Sequence, residues 1–342
     1  MYCVRSISTS IMKMSKFDFP GYGSLYFADT VFLDADSKQI LDDHNYCIGP
    51  NCGNMYWDCN VGEPRYYAFK GPNRGPWRDL LSYSSTLIDV GFARLPMAAD
   101  LLSHRQPSYQ GSVSEHLELL GLGQALFPKS IQHPQIQSNA APTLFHPDLH
   151  KRNIFVSEDD PTIPAFYYAD DVPDFAKPPI DKTSEDTEKS LCSQAFEAGL
   201  ELLAPRLAAA RKIDETLFRP FRYCHRTWRD GTVPFTHEFI QLREHWQGLG
   251  FKEDCPIPAF SSEEMHLYRE QLDIYDKMLA VRQDIVEILG VEQDGCTPED
   301  RWEEVREAHQ HIYIYESVMA AMESEKARQE MKMMWPFDGV KA

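Results

Sequence analysis

The chain is short of several things, and each shortage removes a class of protein. No run of about 18 apolar residues occurs in its 342 residues, so no segment is long enough to cross a bilayer as a helix, and no membrane span is expected. Basic residues are scarce: 34 Lys and Arg stand against 52 Asp and Glu, a net charge of −18 with a pI near 5.1. Phosphate backbones are held by clustered cations, so no nucleic-acid partner is expected. There is no Asn-x-Ser/Thr sequon and no short apolar stretch at the start, and the 8 cysteines (Cys3, Cys47, Cys52, Cys59, Cys192, Cys224, Cys255 and Cys296) are thinly spread. That pattern predicts free thiols in a reducing compartment. The dipeptide Gly-Lys never occurs, so there is no Walker A loop, and Gly-x-Ser-x-Gly is missing too.

Other fragments stop short of a motif. His44, Cys47, Cys52 and Cys59 do not form the paired Cys-x2-Cys of a structural zinc site, and thiols are expected there. His237-Glu238 begins like a metalloprotease helix, but Gln241 stands where the second His is needed. Asp34-x-Asp36 lacks the glycine of a calcium loop. The first seventeen residues contain no acid while carrying Arg5, Lys13 and Lys16. In so acidic a chain, residues 1–16 fit either a mitochondrial targeting segment or a short basic helix that opens the domain.

What is present points to a folded chain. Hydrophobic residues make up 43% and aromatics 12%, which is too apolar for disorder. The length suits about two domains, or one domain with insertions. Residues 17–80 are rich in Gly, Pro, Asn and aromatics, which predicts turns and short strands. Helices are expected over 77–90 and 113–137, and most of the chain after 183 reads as helical. Ser261 and Glu264 have capping-box spacing, and Gly290 offers a stop for the helix between them and it. Thr297-Pro298 marks a later start, followed by a stripe of Trp302, Val305, Ala308, Ile312, Tyr315, Met319 and Met322 that is expected to face a core. The fold class expected is α+β, mainly α, read as one helical domain with a loop-rich N-terminal part.

The chemistry is concentrated in His146-Pro-Asp-Leu-His-Lys-Arg-Asn-Ile154, a His-x-Asp-x-x-x-x-Asn skeleton that leads into apolar Ile154-Phe-Val156. Phosphoryl transfer uses such a loop directly. An Asp accepts the proton of an attacking hydroxyl, and an Asn five residues on binds a magnesium ion that bridges the phosphates. Asp148 is the candidate base, Asn153 the candidate metal ligand, and His146 the residue that organises the loop.

This stretch resembles the catalytic loop of the aminoglycoside phosphotransferase and choline kinase-like family, with Leu149 and His150 matching the Leu-His at its middle. More closely, the chain resembles a fungal branch of that family, named for altered inheritance of mitochondria. Phe19 to Phe27, Cys47 to Pro50, Trp57 to Pro64, Asn73 to Trp77, Tyr109 to Ser112 and Tyr168 to Ala176 carry the likeness. The resemblance implies the helical C-terminal lobe of a protein kinase-like fold over 17–342, with the catalytic loop at 144–156 and a helical bundle over 183–334. It implies transfer of the ATP γ-phosphate to a hydroxyl of a small molecule, with Mg2+, in the mitochondrion; the alternative compartment is the cytoplasm.

Two departures shape the expectation. The family's N-terminal strand lobe, which roofs the nucleotide and supplies a lysine, is expected to be largely missing. Gly21-Tyr-Gly23 and Lys70, in Tyr67-Ala-Phe-Lys70, are poor substitutes for it. The family's second metal-binding Asp is also not matched; Asp170 or Asp171 stands at a plausible count from Asn153. This chain alone is therefore expected to bind ATP weakly or not at all. The second reading is a non-catalytic, pseudokinase-like interaction module.

Overall fold

The structure is a computed structural model. It describes residues 2–30, 38–41, 45–53, 56, 73–96, 108–144, 154–155, 165–166, 184–291 and 297–335. These residues form a mainly helical α+β chain, and among them no helix is long and apolar enough to cross a membrane. Two compact units are present. The first comprises Met1–Leu95, Leu120–Arg226 and Glu238–Ile257; the second comprises Pro96–Leu119, Thr227–His237 and Pro258–Ala342.

The first unit opens with helix α1 (Tyr2–Ser15), which packs on α5 (Ser184–Leu203). Ile11 lies against a small cluster of Leu200, Ala204 and Ala208, and Ser8 is buried beside Gly199. The basic N-terminal segment is thus a helix with an apolar contact face. Short strands follow: β1 (Ser24–Phe27), β2 (Gln39–Ile40) and β3 (Tyr46–Gly49) pair antiparallel in the order β1-β3-β2. Trp77 sits almost fully buried between Tyr56 and Tyr83, and its indole N–H donates to Thr86 Oγ1 at 2.9 Å.

Helix α2 (Leu80–Ala93) starts three residues later than expected, because Asp79 caps it by accepting from the Ser82 N–H at 2.7 Å. On α2, a Cβ at Gly91 would overlap the carbonyl oxygen of Cys224, so glycine lets α2 come close to α7 (Arg219–Cys224). Leu120, Leu126 and Phe127, on α3 (Val113–Ile131), join Leu217, Phe239 and Leu242 among the side chains with essentially no exposure. The Phe127 and Phe221 rings lie 3.8 Å apart.

The expected helix over 113–137 is in fact two. Helix α3 ends at Ile131, and a single turn, α4 (Pro134–Gln137), restarts after His133. Pro134 explains the break: it disfavours the helical conformation in the residue before it, and His133 has ψ 133°. The N-terminal signal lies two residues earlier than Ser114. The Ser112 hydroxyl accepts from the Glu115 N–H at 3.3 Å, and the Glu115 carboxylate accepts from the Ser112 N–H at 2.7 Å, a capping box. Two further strands, β4 (Ile154–Phe155) and β5 (Ala165–Phe166), form an antiparallel pair. Helices α6 (Pro205–Ala210), α8 (Thr227–Asp230) and α9 (Thr232–His245) follow.

In the second unit, Tyr109 to Ser112 folds against the start of α9. The Thr232 N–H donates to the carbonyls of Tyr109 and Gln110, each at 3.1 Å, and Gly111 has φ +74°, a conformation that favours glycine. Buried His116 places Nδ1 2.9 Å from Thr227 Oγ1, its ring edge-on to Trp228. Helix α10 (Ser262–Leu289) has the expected capping box at Ser261 and Glu264, and Gly290 ends it at φ +59°. Ile285 and Leu289 pack on Val305, near the start of α11 (Trp302–Glu323). Helix α12 (Glu325–Met334) then turns back on α11.

The α11 stripe does not all face a core. Val305 is buried, but Trp302, Tyr315, Met319 and Met322 are 53%, 61%, 44% and 77% exposed. The spacing puts these side chains on one broad face, but only the stretch of it around Val305, Ala308 and Ile312 packs with Ile285 and Leu289 of α10. Leu279, in the middle of α10, is exposed as well.

Candidate functional site

The three residues expected from the sequence to carry chemistry, His146, Asp148 and Asn153, lie outside the described residues, as do His150, Lys70, Asp170 and Asp171. What the structure describes is the frame on either side of the loop. Upstream, Pro142 to Leu144 are the last described residues before it. Downstream, β4 begins at the residue after Asn153, and its two residues pair with β5 in the register Ile154↔Phe166 and Phe155↔Ala165. An antiparallel pair therefore fixes the chain as it leaves the loop. The strand that answers β4 is Ala165–Phe166, within the Pro164 to Asp170 stretch, so Asp170 stands four residues beyond its end.

A cleft of about 580 Å³ opens in the first unit, and the lead-in to the loop forms part of its wall through Ala140 and Pro142. Phe19, Tyr22 and Ile131 give it apolar surface, and among the described residues Arg78 is its one cationic lining residue. The Tyr22 hydroxyl donates to the Ala140 carbonyl, and its ring stacks on Tyr83 with centroids 6.0 Å apart. Burial, with the nearby Asp79 charge, pushes the Tyr22 phenol above its ordinary pKa, so it serves as a protonated anchor. The hydrogen bonds from Ser82 hold the Asp79 carboxyl below the usual carboxylate range, and that charge is engaged in capping α2. By its lining the cleft combines apolar surface with one exposed guanidinium, that of Arg78. Sequence reading did not single out Tyr22 or Arg78 as site residues. Tyr22 stood inside a stretch used for the family likeness, and nothing in the pattern marked Arg78.

Gly21-Tyr-Gly23 is not a phosphate cradle. The Tyr22 N–H donates to the Trp77 carbonyl at 2.7 Å and the Trp77 N–H to the Tyr22 carbonyl at 2.9 Å. A Cβ at Gly21 would overlap that Trp77 carbonyl, and one at Gly23 the Gly49 carbonyl. Both glycines are there so that backbones can approach. A nucleotide's phosphates do not fit at this pair.

The remaining fragments resolve locally. Cys47 is buried, with its thiol directed at the Phe27 carbonyl at 3.7 Å, and Cys52 lies 3.0 Å from the Tyr26 hydroxyl; His44 and Cys59 lie outside the described residues, as do Asp34 and Asp36. Among the described residues no group of three His, Cys, Asp or Glu side chains is placed to hold a metal. His237 Nδ1 lies 2.6 Å from the Tyr268 hydroxyl. Glu238 is buried and lies 2.9 Å from Arg219 Nε, an ion pair within the first unit. No protein-family model, curated protein or solved structure matches the chain.

Proposed function

We propose that the chain is the helical lobe of a kinase-like phosphotransferase that uses Mg2+ and ATP to phosphorylate a hydroxyl of a small molecule. The observation that carries the reading is the antiparallel pair that starts directly after Asn153, because a loop of the form His-x-Asp-x-x-x-x-Asn needs a fixed exit to aim its Asn. In this reading Asp148 takes the proton of the acceptor hydroxyl. The hydroxyl oxygen bonds to the γ-phosphorus, the bond from that phosphorus to the β-bridging oxygen breaks, and ADP leaves. Asn153 would ligate Mg2+ through its amide oxygen, and His146 would brace the loop. Asp170 is the candidate for the second metal ligand, a carboxylate. When bound, Mg-ATP supplies the transferable group. The cleft beside Pro142 suits the acceptor, whose apolar part would meet Phe19 and Ile131.

No phosphate cradle is supplied by Gly21 and Gly23, which supports weak nucleotide binding by this chain alone. Isothermal titration with Mg-ATP tests this directly. Millimolar or weaker affinity is expected, and micromolar binding would overturn it. The second reading, a non-catalytic interaction module, is favoured by one observation: the exposed apolar residues of α11. The compartment proposed is the mitochondrion, on the acid-free N-terminus; the packing of α1 on α5 supports the alternative in which that segment is simply the first helix of the domain.

A further inference from the structure

The C-terminal half of α11 presents Ile314, Tyr315, Val318, Met319 and Met322 at 49%, 61%, 53%, 44% and 77% exposure. At 100° per residue these five fall within one arc of about 140°, on the side away from Val305 and Ser317, which are buried. The other side of the helix is occupied: Trp335, just past α12, stacks edge-on to Tyr313 at 5.2 Å and donates from its indole to His309 Nε2 at 3.3 Å. Isolated exposed apolar side chains are ordinary, but a contiguous run over two turns marks a contact surface. Two methionines and a tyrosine make it adaptable and suited to receive a partner's side chains.

Charge says what kind of partner fits. Helix α11 carries five glutamates, Glu303, Glu304, Glu307, Glu316 and Glu323, against one arginine, Arg306, which lies 2.5 Å from Glu303. Glu304 and Glu307 continue the same arc toward the N-terminus, and Glu316 and Glu323 edge the apolar run. The face is therefore apolar at one end and acidic at the other. Two copies laid parallel would set acid against acid. Laid antiparallel over the whole helix, they would set acid against apolar surface. The acidic border also repels anionic lipid and nucleic acid.

We infer that this face of α11 docks a basic amphipathic helix of a partner protein. Leucine-type anchors at i, i+3, i+4 and i+7 would sit on Val318 and Met322, and Lys or Arg would face Glu304 and Glu307.

The probe is a fluorescein-labelled 18-residue helical peptide with a leucine stripe and lysines elsewhere, paired with a peptide that has glutamate at every lysine. Anisotropy with the full chain should show the lysine peptide binding at least about tenfold more tightly than the glutamate peptide, with affinity falling as salt rises. The double variant Val318→Glu, Met322→Glu should weaken the lysine peptide by about tenfold or more with the circular dichroism unchanged. That change adds negative charge, so a loss cannot come from weakened general attraction to an acidic protein. The inference is overturned if the two peptides bind alike or if the double variant binds like the parent. It is also overturned if sedimentation shows a dimer that the double variant dissolves, which would make a second copy the occupant. A large fall in the variant's melting temperature would likewise overturn it, since the chain's own residues would then cover the face. So would binding to phosphatidylserine vesicles that the variant loses.

Discussion

Acid should weaken the second unit through one buried imidazole. His116 has no exposed surface, and burial lowers its pKa from the ordinary 6.5 to about 4, a fall partly offset by the Gln110 main chain and the Glu115 carboxylate. In the unfolded chain the ring takes up a proton as pH falls through about 6.5; in the folded chain it resists until about 4. Between those values the unfolded state holds the extra proton, so stability falls with pH. The slope is about 1.4 kcal/mol per pH unit, and the whole effect about 3 kcal/mol, complete below pH 4. Above pH 6.5 His116 contributes no pH dependence. The assay is urea denaturation at steps from pH 7.5 to 4 on the parent and on His116→Asn, whose amide can replace Nδ1 in the contact with Thr227. Carboxylates titrate in both proteins and cancel in the difference. The parent should lose about 3 kcal/mol more than the variant across that range. Parallel curves would refute the argument, because they would mean that the imidazole ionises freely in the folded state.

Two glycines one helix apart should behave in opposite ways. Gly91→Ala forces a Cβ onto the Cys224 carbonyl and should cost about 1–3 kcal/mol by thermal or urea melting. Gly121→Ala meets nothing within 4 Å and should be neutral or stabilise by up to about 1 kcal/mol; shifts of the same sign would contradict the packing described. Residues 1–30 fused to a fluorescent reporter should reach mitochondria if the acid-free segment is an address. A cytosolic reporter would leave α1 with only its role of covering Leu200 and Ala204.

How much of this was legible in the sequence differs from element to element. The capping box at Ser261 and the stop at Gly290 were readable because each is a local device: the bonds close within a turn of the residues that signal them. The break at Pro134 is equally local, but the apolar spacing runs on through it and hides it. The α11 stripe misled for a geometric reason. Spacing fixes which residues share a helix face, but the direction of that face depends on what α10 and α12 cover. Gly21 and Gly23 could be mistaken for a phosphate loop because a glycine needed for a close strand crossing looks the same in sequence as one needed for a ligand. The cleft joins residues 19–22, 78–81 and 128–142, which are distant in the chain, and no single-sequence pattern brings them together. The His146 to Ile154 skeleton is the reverse case: the proposal made on it rests on spacing within nine residues, of which only Ile154 is among the described residues.

The central claim is that Asp148 is the base of a phosphoryl transfer, and it is tested most directly by ADP release. The parent and Asp148→Ala are compared at millimolar Mg-ATP with a panel of small hydroxyl acceptors, and circular dichroism verifies the variant's fold. Loss of a general base lowers a rate by about 10²–10⁴-fold. The account predicts slow, acceptor-dependent ADP release from the parent, reduced in the variant by at least about a hundredfold with its helicity intact. Release that is equal in the two proteins, or no acceptor-dependent release from the parent, would contradict it.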